Sequence, residues 1–291
     1  MNAAKHNPSS LKRIFRRGIF YSFLIALLPA MDILAGVLVA PPVVFMSEKG
    51  KAGRITVQNP TNAPKEITIS LSFGLPESDS LGNVNIFLND STVTDPRSCL
   101  EWVKAFPRRL IIPANGSQVV RFVAKPPKNL PDGEYWARVV IEAQEGVAGI
   151  PMLEADDRIT TKLNMVMRTA IALKYRTGDL VASLEMTGAE TRIVDSKVEA
   201  MLDFTNKGNC SYVGVLACRL LDANNKEVST FDLHLAVYRQ LRRRIELPIV
   251  EGEFQAPYRV EVTVTNRGRK DIPPEEMIYG NDITQTLAVE S

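Results

Sequence analysis

The chain has 291 residues and a mass of 32.3 kDa, which is room for about two domains, and its 45% hydrophobic content excludes disorder as the overall state. There are 35 Lys and Arg against 33 Asp and Glu, so the formal net charge of +2 gives no global field that would attract nucleic acid. Two His and three Cys, with no C-x-x-C pair, are too few for a structural zinc site or a disulfide framework, and we expect neither metal nor cofactor.

The first forty residues differ in kind from the rest. Apolar residues 18–28 follow a basic opening that contains Lys5, Lys12, Arg13, Arg16 and Arg17. This layout is typical of a secretory signal peptide, because the apolar run is short of the ~20 residues that a membrane-spanning helix needs. An uncleaved anchor is the alternative, if Asp32 is tolerated and the apolar stretch continues through Ala40. We predict a signal peptide over residues 1–36 and export past the inner membrane.

Period-two alternation of β-branched and aromatic residues dominates the sequence from Val37 onward. Turn signals at 59–62, 113–116 and 131–133 separate the first candidate strands, and 147–158 reads as a loop. This spacing favours an immunoglobulin-like β-sandwich over residues 37–176. The candidate strands are 37–45, 52–59, 65–73, 109–112, 118–124, 133–143 and 162–175.

A second set of strands follows residue 177 and indicates a second β-sandwich over residues 177–291. The predicted fold class is therefore all-β, with two immunoglobulin-like sandwiches after an N-terminal signal segment. The candidate strands are 180–186, 197–206, 211–221, 227–235, 242–247, 258–265 and 283–289.

Catalytic motifs are missing from the sequence. No G-x-S-x-G, phosphate-binding glycine loop or H-E-x-x-H occurs, and His234 stands alone in a candidate strand, so we expect no enzyme activity. The basic run Arg242 to Arg244 is either a nucleic-acid patch or, in our preferred interpretation, solvated strand charge. We expect Trp102 and Trp136 to pack in the core.

Two motifs in the first half resemble the periplasmic pilus chaperones of the PapD-like family. They are FPRRLIIPANGSQVVRF at 106–122 and LPDGEYW at 130–136, and the order of strands over residues 37–176 is also similar. The resemblance implies a periplasmic, ATP-independent chaperone with its two sandwiches in an L-shaped (boomerang) arrangement. Its partners would be pilus (fimbrial) or other secreted subunits and an outer-membrane usher, with no nucleic acid and membrane contact only through the signal segment.

The resemblance also implies that the last strand of the first sandwich completes the fold of a subunit by strand donation. On that strand the candidate donor residues Leu163, Met165, Met167 and Thr169 alternate along one side, and the first three match the alternating hydrophobic donor motif of the family. The competing interpretation is that this row only faces the domain's own core. An exposed apolar edge would also allow the free protein to self-associate.

The sequence departs from the family at the basic pair that binds the subunit's terminal carboxylate. By alignment these two positions are Pro42 and Ala172, and neither side chain can bind a carboxylate. Arg168 and Lys174 share the parity of Ala172, so either is a candidate for a displaced anchor or simply a solvated strand charge.

Glu134 and Arg176 fall where the family places a salt bridge between the facing surfaces of the domains, although two unrelated surface charges would give the same sequence. A structural or adhesive immunoglobulin-like module of the cell envelope, with no folding client, is the alternative function.

Overall fold

The computed structural model describes residues 36–88, 95–145, 165–250, 252 and 254–289. Residues 1–35 of the predicted signal segment lie outside the described residues, as do the predicted loop 147–158 and the donor position Leu163. Within the described ranges, no helix is long and apolar enough to cross a membrane.

The first half of the chain forms an immunoglobulin-like sandwich of a four-stranded and a five-stranded sheet. The strands of this half are β1 (Leu38–Ala40), β2 (Val43–Ser47), β3 (Ala52–Gln58), β4 (Lys65–Ser72), β5 (Pro76–Ser78), β6 (Val84–Ile86), β7 (Val103–Phe106), β8 (Arg109–Ile112), β9 (Ser117–Ala124), β10 (Gly133–Glu145) and β11 (Val166–Thr177). Of these, β5 and β6 form a separate two-stranded hairpin. The sheet orders are β1-β3-β9-β7 and β2-β11-β10-β4-β8. Alternate side chains such as Ile55, Val57 and Phe122 fill the space between these sheets.

The second half forms another sandwich around a separate core that includes Leu202, Leu216 and Val262. Its strands are β12 (Leu184–Val194), β13 (Lys197–Asn206), β14 (Tyr212–Leu221), β15 (Glu227–Val237), β16 (Gln240–Pro248), β17 (Arg259–Thr265) and β18 (Ile283–Ala288), with a short 3₁₀ helix at Pro274–Glu276. The sheet orders are β12-β13-β16 and β15-β14-β17-β18. The all-β, two-sandwich fold class is confirmed.

The prediction of one strand over residues 37–45 is wrong. Pro41 and Pro42 interrupt it, and the two pieces join different sheets: β1 pairs with β3, whereas β2 pairs in parallel with β11. Proline has no N–H for a strand ladder, so two prolines in succession end one pairing and let the chain cross to the other sheet.

The β5–β6 hairpin was not predicted, and it links the two sandwiches. The backbone N–H of Arg242 on β16 donates to Ser78 Oγ at 2.9 Å, and that of Arg244 donates to the carbonyl of Gly82 at 3.3 Å. The hairpin thus covers part of the edge of β16. The Arg242 guanidinium binds Asp203 at 2.7 Å, so this side chain of the basic run is not free for nucleic acid.

A small aromatic cluster lies apart from both cores. Trp136 and Tyr238 meet edge to face with ring centres 5.1 Å apart, next to Phe73 and Leu75. Trp136 is buried, as predicted, but in this third cluster with Tyr238 of the second sandwich and not in the first core. Trp102 does pack against the first core.

Candidate functional site: an open strand edge beside a buried ion cluster

Among the described residues, strand β11 is paired along its full length on one side and along part of its length on the other. Its register with β10 runs from Gln144 opposite Val166 to Gly133 opposite Thr177. On its other side β2 covers only the stretch from Ala172 to Arg176. In the described part of the chain, residues 166–171 therefore present an unpaired main-chain edge, which we call the open edge. Such an edge is a template for an added strand.

The side chains of β11 change environment along the strand. Ile171, Leu173 and Tyr175 are buried in the first core, so the core-facing interpretation holds for this part of the row. Met167 and Thr169 continue the same parity but are only half-buried, and Met165 is 54% exposed. The apolar row thus extends beyond the core and reaches solvent along the open edge.

Glycine at position 36 allows the close approach of Met167. A Cβ placed on Gly36 would come within 2.3 Å of the Met167 sulfur, so the thioether lies directly against this stretch of backbone. The Met167 side chain is therefore held at the border between the core and the open edge.

The structure separates the two candidate anchors. Arg168 is exposed and forms an ion pair with Glu142, its register partner on β10. Lys174 is only 3% exposed, and its ammonium donates to Ser211 Oγ and lies 3.3 Å from Glu134 Oε1. The anchor prediction is wrong for Lys174, because its charge is already paired inside the protein. For Arg168 it stays a prediction.

Pro42 and Ala172 lie close together where β2 begins, because Val43 is the register partner of Ala172. The basic residue nearest to them in the register is Arg138, which lies opposite Ala172 on β10. Its guanidinium is buried, donates from Nε to the carbonyl of Gly74 at 2.9 Å and lies over the ring of Tyr238. We did not predict a role for Arg138 from the sequence. It lies four residues after Glu134 on β10, so strand alternation places both side chains on the same face, and this pattern could have identified it.

Glu134 is the centre of a buried ion cluster between the two sandwiches. Arg176 Nε donates to Glu134 Oε2 at 2.9 Å, so the two side chains are in direct contact. Trp136 Nε1 donates to Glu134 Oε1 at 2.7 Å, and Ser211 of the second sandwich donates from both its N–H and its hydroxyl. Arg176 also donates to the backbone carbonyl of Glu276 at 2.7 Å. Every oxygen of the carboxylate is therefore satisfied.

Electrostatics keep this carboxylate ionised despite its burial. Burial alone would raise the pKa of Glu134, but the charges of Lys174 and Arg176, with the hydrogen bonds from Ser211 and Trp136, outweigh it and lower the pKa to about 2. The charges of the cluster are paired with one another. In the described residues no group of three or more His, Cys, Asp or Glu side chains is placed to hold a metal ion.

Comparisons with known proteins give matches only among solved structures. No family model and no curated protein matches the sequence. The structure of the YadV chaperone is 16% identical, with 87% of this chain and 98% of that chain covered and a TM-score of 0.44. The Pseudomonas aeruginosa CupB2 chaperone (14%, covering 87% and 100%, TM-score 0.41) and the class 5 fimbriae chaperone CfaA (15%, covering 87% and 99%, TM-score 0.41) are also similar.

Proposed function

We propose that this protein is a periplasmic chaperone that binds pilus or other secreted subunits by donating strand β11, without ATP. The observation that carries the proposal is the open edge, residues 166–171, whose main chain lacks a partner on one side in the described residues. A subunit strand added there would satisfy these N–H and C=O groups.

The side chains support donation on a defined face. Met165, Met167 and Thr169 share one parity, and Met165 and Met167 are flexible apolar side chains that adapt to irregular cavities. Val166, 56% exposed, has the opposite parity. A subunit with an incomplete sandwich would receive the methionines in its core and leave Val166 outside.

In this proposal, residues 37–176 carry the binding function. Residues 177–291 would support the donor strand through the cluster around Glu134 and Arg176, which fixes the orientation of β11 against the second sandwich. Buried ion pairs contribute little net stability, so orientation is the role that their geometry suits best.

The test is co-expression of the full chain with a subunit encoded beside its gene, followed by purification of a soluble one-to-one complex from the periplasmic fraction. We expect M165D/M167D to abolish the complex, because two carboxylates would have to enter an apolar core. The matched control is V166D on the same strand. It should leave complex formation intact, since this side chain points to the other face.

Thermal unfolding of all three proteins shows whether the variants remain folded. A complex that survives both M165D/M167D and V166D refutes strand donation. Loss of the complex in V166D but not in M165D/M167D would refute the proposed face. A folded protein that captures no subunit in any form points to the alternative, a structural or adhesive envelope module.

A further inference from the structure

The outer face of the β1-β3-β9-β7 sheet carries cations that have no counterion among the described residues. Arg54, Lys104 and Arg121 point outward from β3, β7 and β9 and are exposed. None of them has a side-chain hydrogen bond or an ion pair with any residue in the described ranges, and these four strands contain no Asp or Glu. Lys51 and Lys125, both exposed, extend the basic character at one end of β3 and β9.

Two of these cations are direct neighbours. Arg54 and Arg121 are register partners on β3 and β9, and Lys104 lies opposite Val123 on the adjacent strand. Like charges directly opposite each other destabilise an antiparallel pair. Elsewhere on the surface arginines are neutralised, as in the pairs of Arg192 with Glu199 and of Arg219 with Glu227. The positive charge of this face is therefore not neutralised by acidic side chains of the described residues.

Apolar side chains separate the cations. Phe106 is 57% exposed and lies opposite Arg121, while Val119 and Val123 flank Arg121 on β9 at 44% and 39%. Leu38 on the edge strand β1 is 52% exposed and adds another apolar side chain to this face. A flat surface that mixes cations with isolated apolar side chains suits the boundary between anionic headgroups and acyl chains.

We infer that this sheet face, defined by Arg54, Lys104, Phe106, Val119, Arg121 and Val123, binds a membrane surface rich in anionic phospholipid. The order of the chain favours a membrane over an acidic protein. The apolar residues 18–28 precede β1 of this sheet by about ten residues, a reach of at most roughly 35 Å. If residues 1–36 are the predicted signal or anchor, the sheet that contains β1 follows the segment that would meet the bilayer during export. The inference does not depend on strand donation.

The experiment measures co-sedimentation of the full chain with vesicles. One set contains phosphatidylglycerol mixed with phosphatidylcholine, and the other contains phosphatidylcholine alone. We expect stronger binding to the anionic vesicles and a loss of this excess at high salt. R54Q/R121Q should lower the partition coefficient on anionic vesicles about 25-fold, since each interfacial cation contributes about fivefold.

The control double variant is R192Q/R219Q, which removes the same charge from the second sandwich and should leave partitioning unchanged. All variants keep residues 1–35, so any binding by that segment is common to them. R121Q has a second readout: it should unfold at the same or a higher denaturant concentration than wild type, because it relieves the repulsion with Arg54. The inference is overturned if wild type binds both vesicle types equally, or if the control reduces binding as much as R54Q/R121Q.

Discussion

Replacement of Glu134 by Gln tests the electrostatic account of the cluster between the sandwiches. Gln keeps the size of the side chain but removes the negative charge that faces Lys174 and Arg176. Removing one partner of a buried ion pair leaves the other charge uncompensated, which costs about 3 to 5 kcal/mol. Near neutral pH we therefore expect E134Q to lower the free energy of unfolding by this amount.

The pH dependence of stability gives both the size and the sign of the contribution of Glu134. The pKa of Glu134 falls from its ordinary value of 4.5 to about 2 on folding. A lowered pKa stabilises the folded state when the group is ionised, so this contribution is complete above pH 4.5 and is lost as the pH falls towards 2. At 1.36 kcal/mol per pKa unit, the loss in the free energy of unfolding is on the order of 3 kcal/mol. E134Q has no such group, so its stability should fall less in acid.

Urea unfolding of wild type and E134Q, at several pH values from about 7 to about 3, measures this difference. The emission of Trp136 is a suitable local probe, because its indole N–H donates to the Glu134 carboxylate. The gap between the two proteins should narrow as the pH falls. The matched control, E142Q, removes the carboxylate that pairs with exposed Arg168 and should change stability by less than about 1 kcal/mol. A gap that stays constant down to about pH 3 would refute the assigned role of Glu134.

Two further predictions concern the hairpin and the thiols. G82A should destabilise the β5–β6 hairpin by about 1 to 3 kcal/mol, because Gly82 has φ +75° and a Cβ would lie 2.5 Å from the Arg244 nitrogen. Hydrogen exchange at β5, β6 and β16 measures this, with G50A, where a Cβ meets nothing within 4 Å, as the control. Unchanged exchange in G82A would contradict the proposed dependence of the hairpin and its contact with β16 on Gly82. Burial raises the pKa of Cys99, of Cys210 to about 11 and of Cys218 to about 12, so iodoacetamide at neutral pH should label none of them before denaturation. Rapid labelling of the native protein would show that a thiol is accessible.

Alternation along the sequence predicted much of the fold because most strands have one face in a core and one in solvent. Strand β13 matches its predicted bounds, 197–206, and β8 matches 109–112. The rule fails where both faces of a strand are covered. On β10 the outward residues Glu134, Trp136 and Arg138 are as buried as the inward ones, since parts of the second sandwich pack over them.

The same limitation explains the outcome for Lys174. Parity placed its side chain on the outer face of β11 correctly, but parity does not reveal what covers that face. Ser211 and Glu134 lie there, and the sequence separates Ser211 from Lys174 by 37 positions. The hairpin at 76–86 was also beyond a pattern argument, because its strands have three residues each, too few to display a period.

The two halves of β11 have different constraints, and this difference bears on how the open edge would bind. From Ala172 to Arg176 the strand is paired on both sides and fixed by Lys174 and Arg176 to groups of the second sandwich. From Val166 to Ile171 it is paired, within the described residues, with β10 and with no other strand. In the proposed strand donation, this half would therefore be extended and in register before a subunit binds. Ordering a strand costs about 1 to 2 kcal/mol per residue in backbone entropy. Because β11 is already ordered when the protein folds, only the incoming chain would have to be ordered on binding.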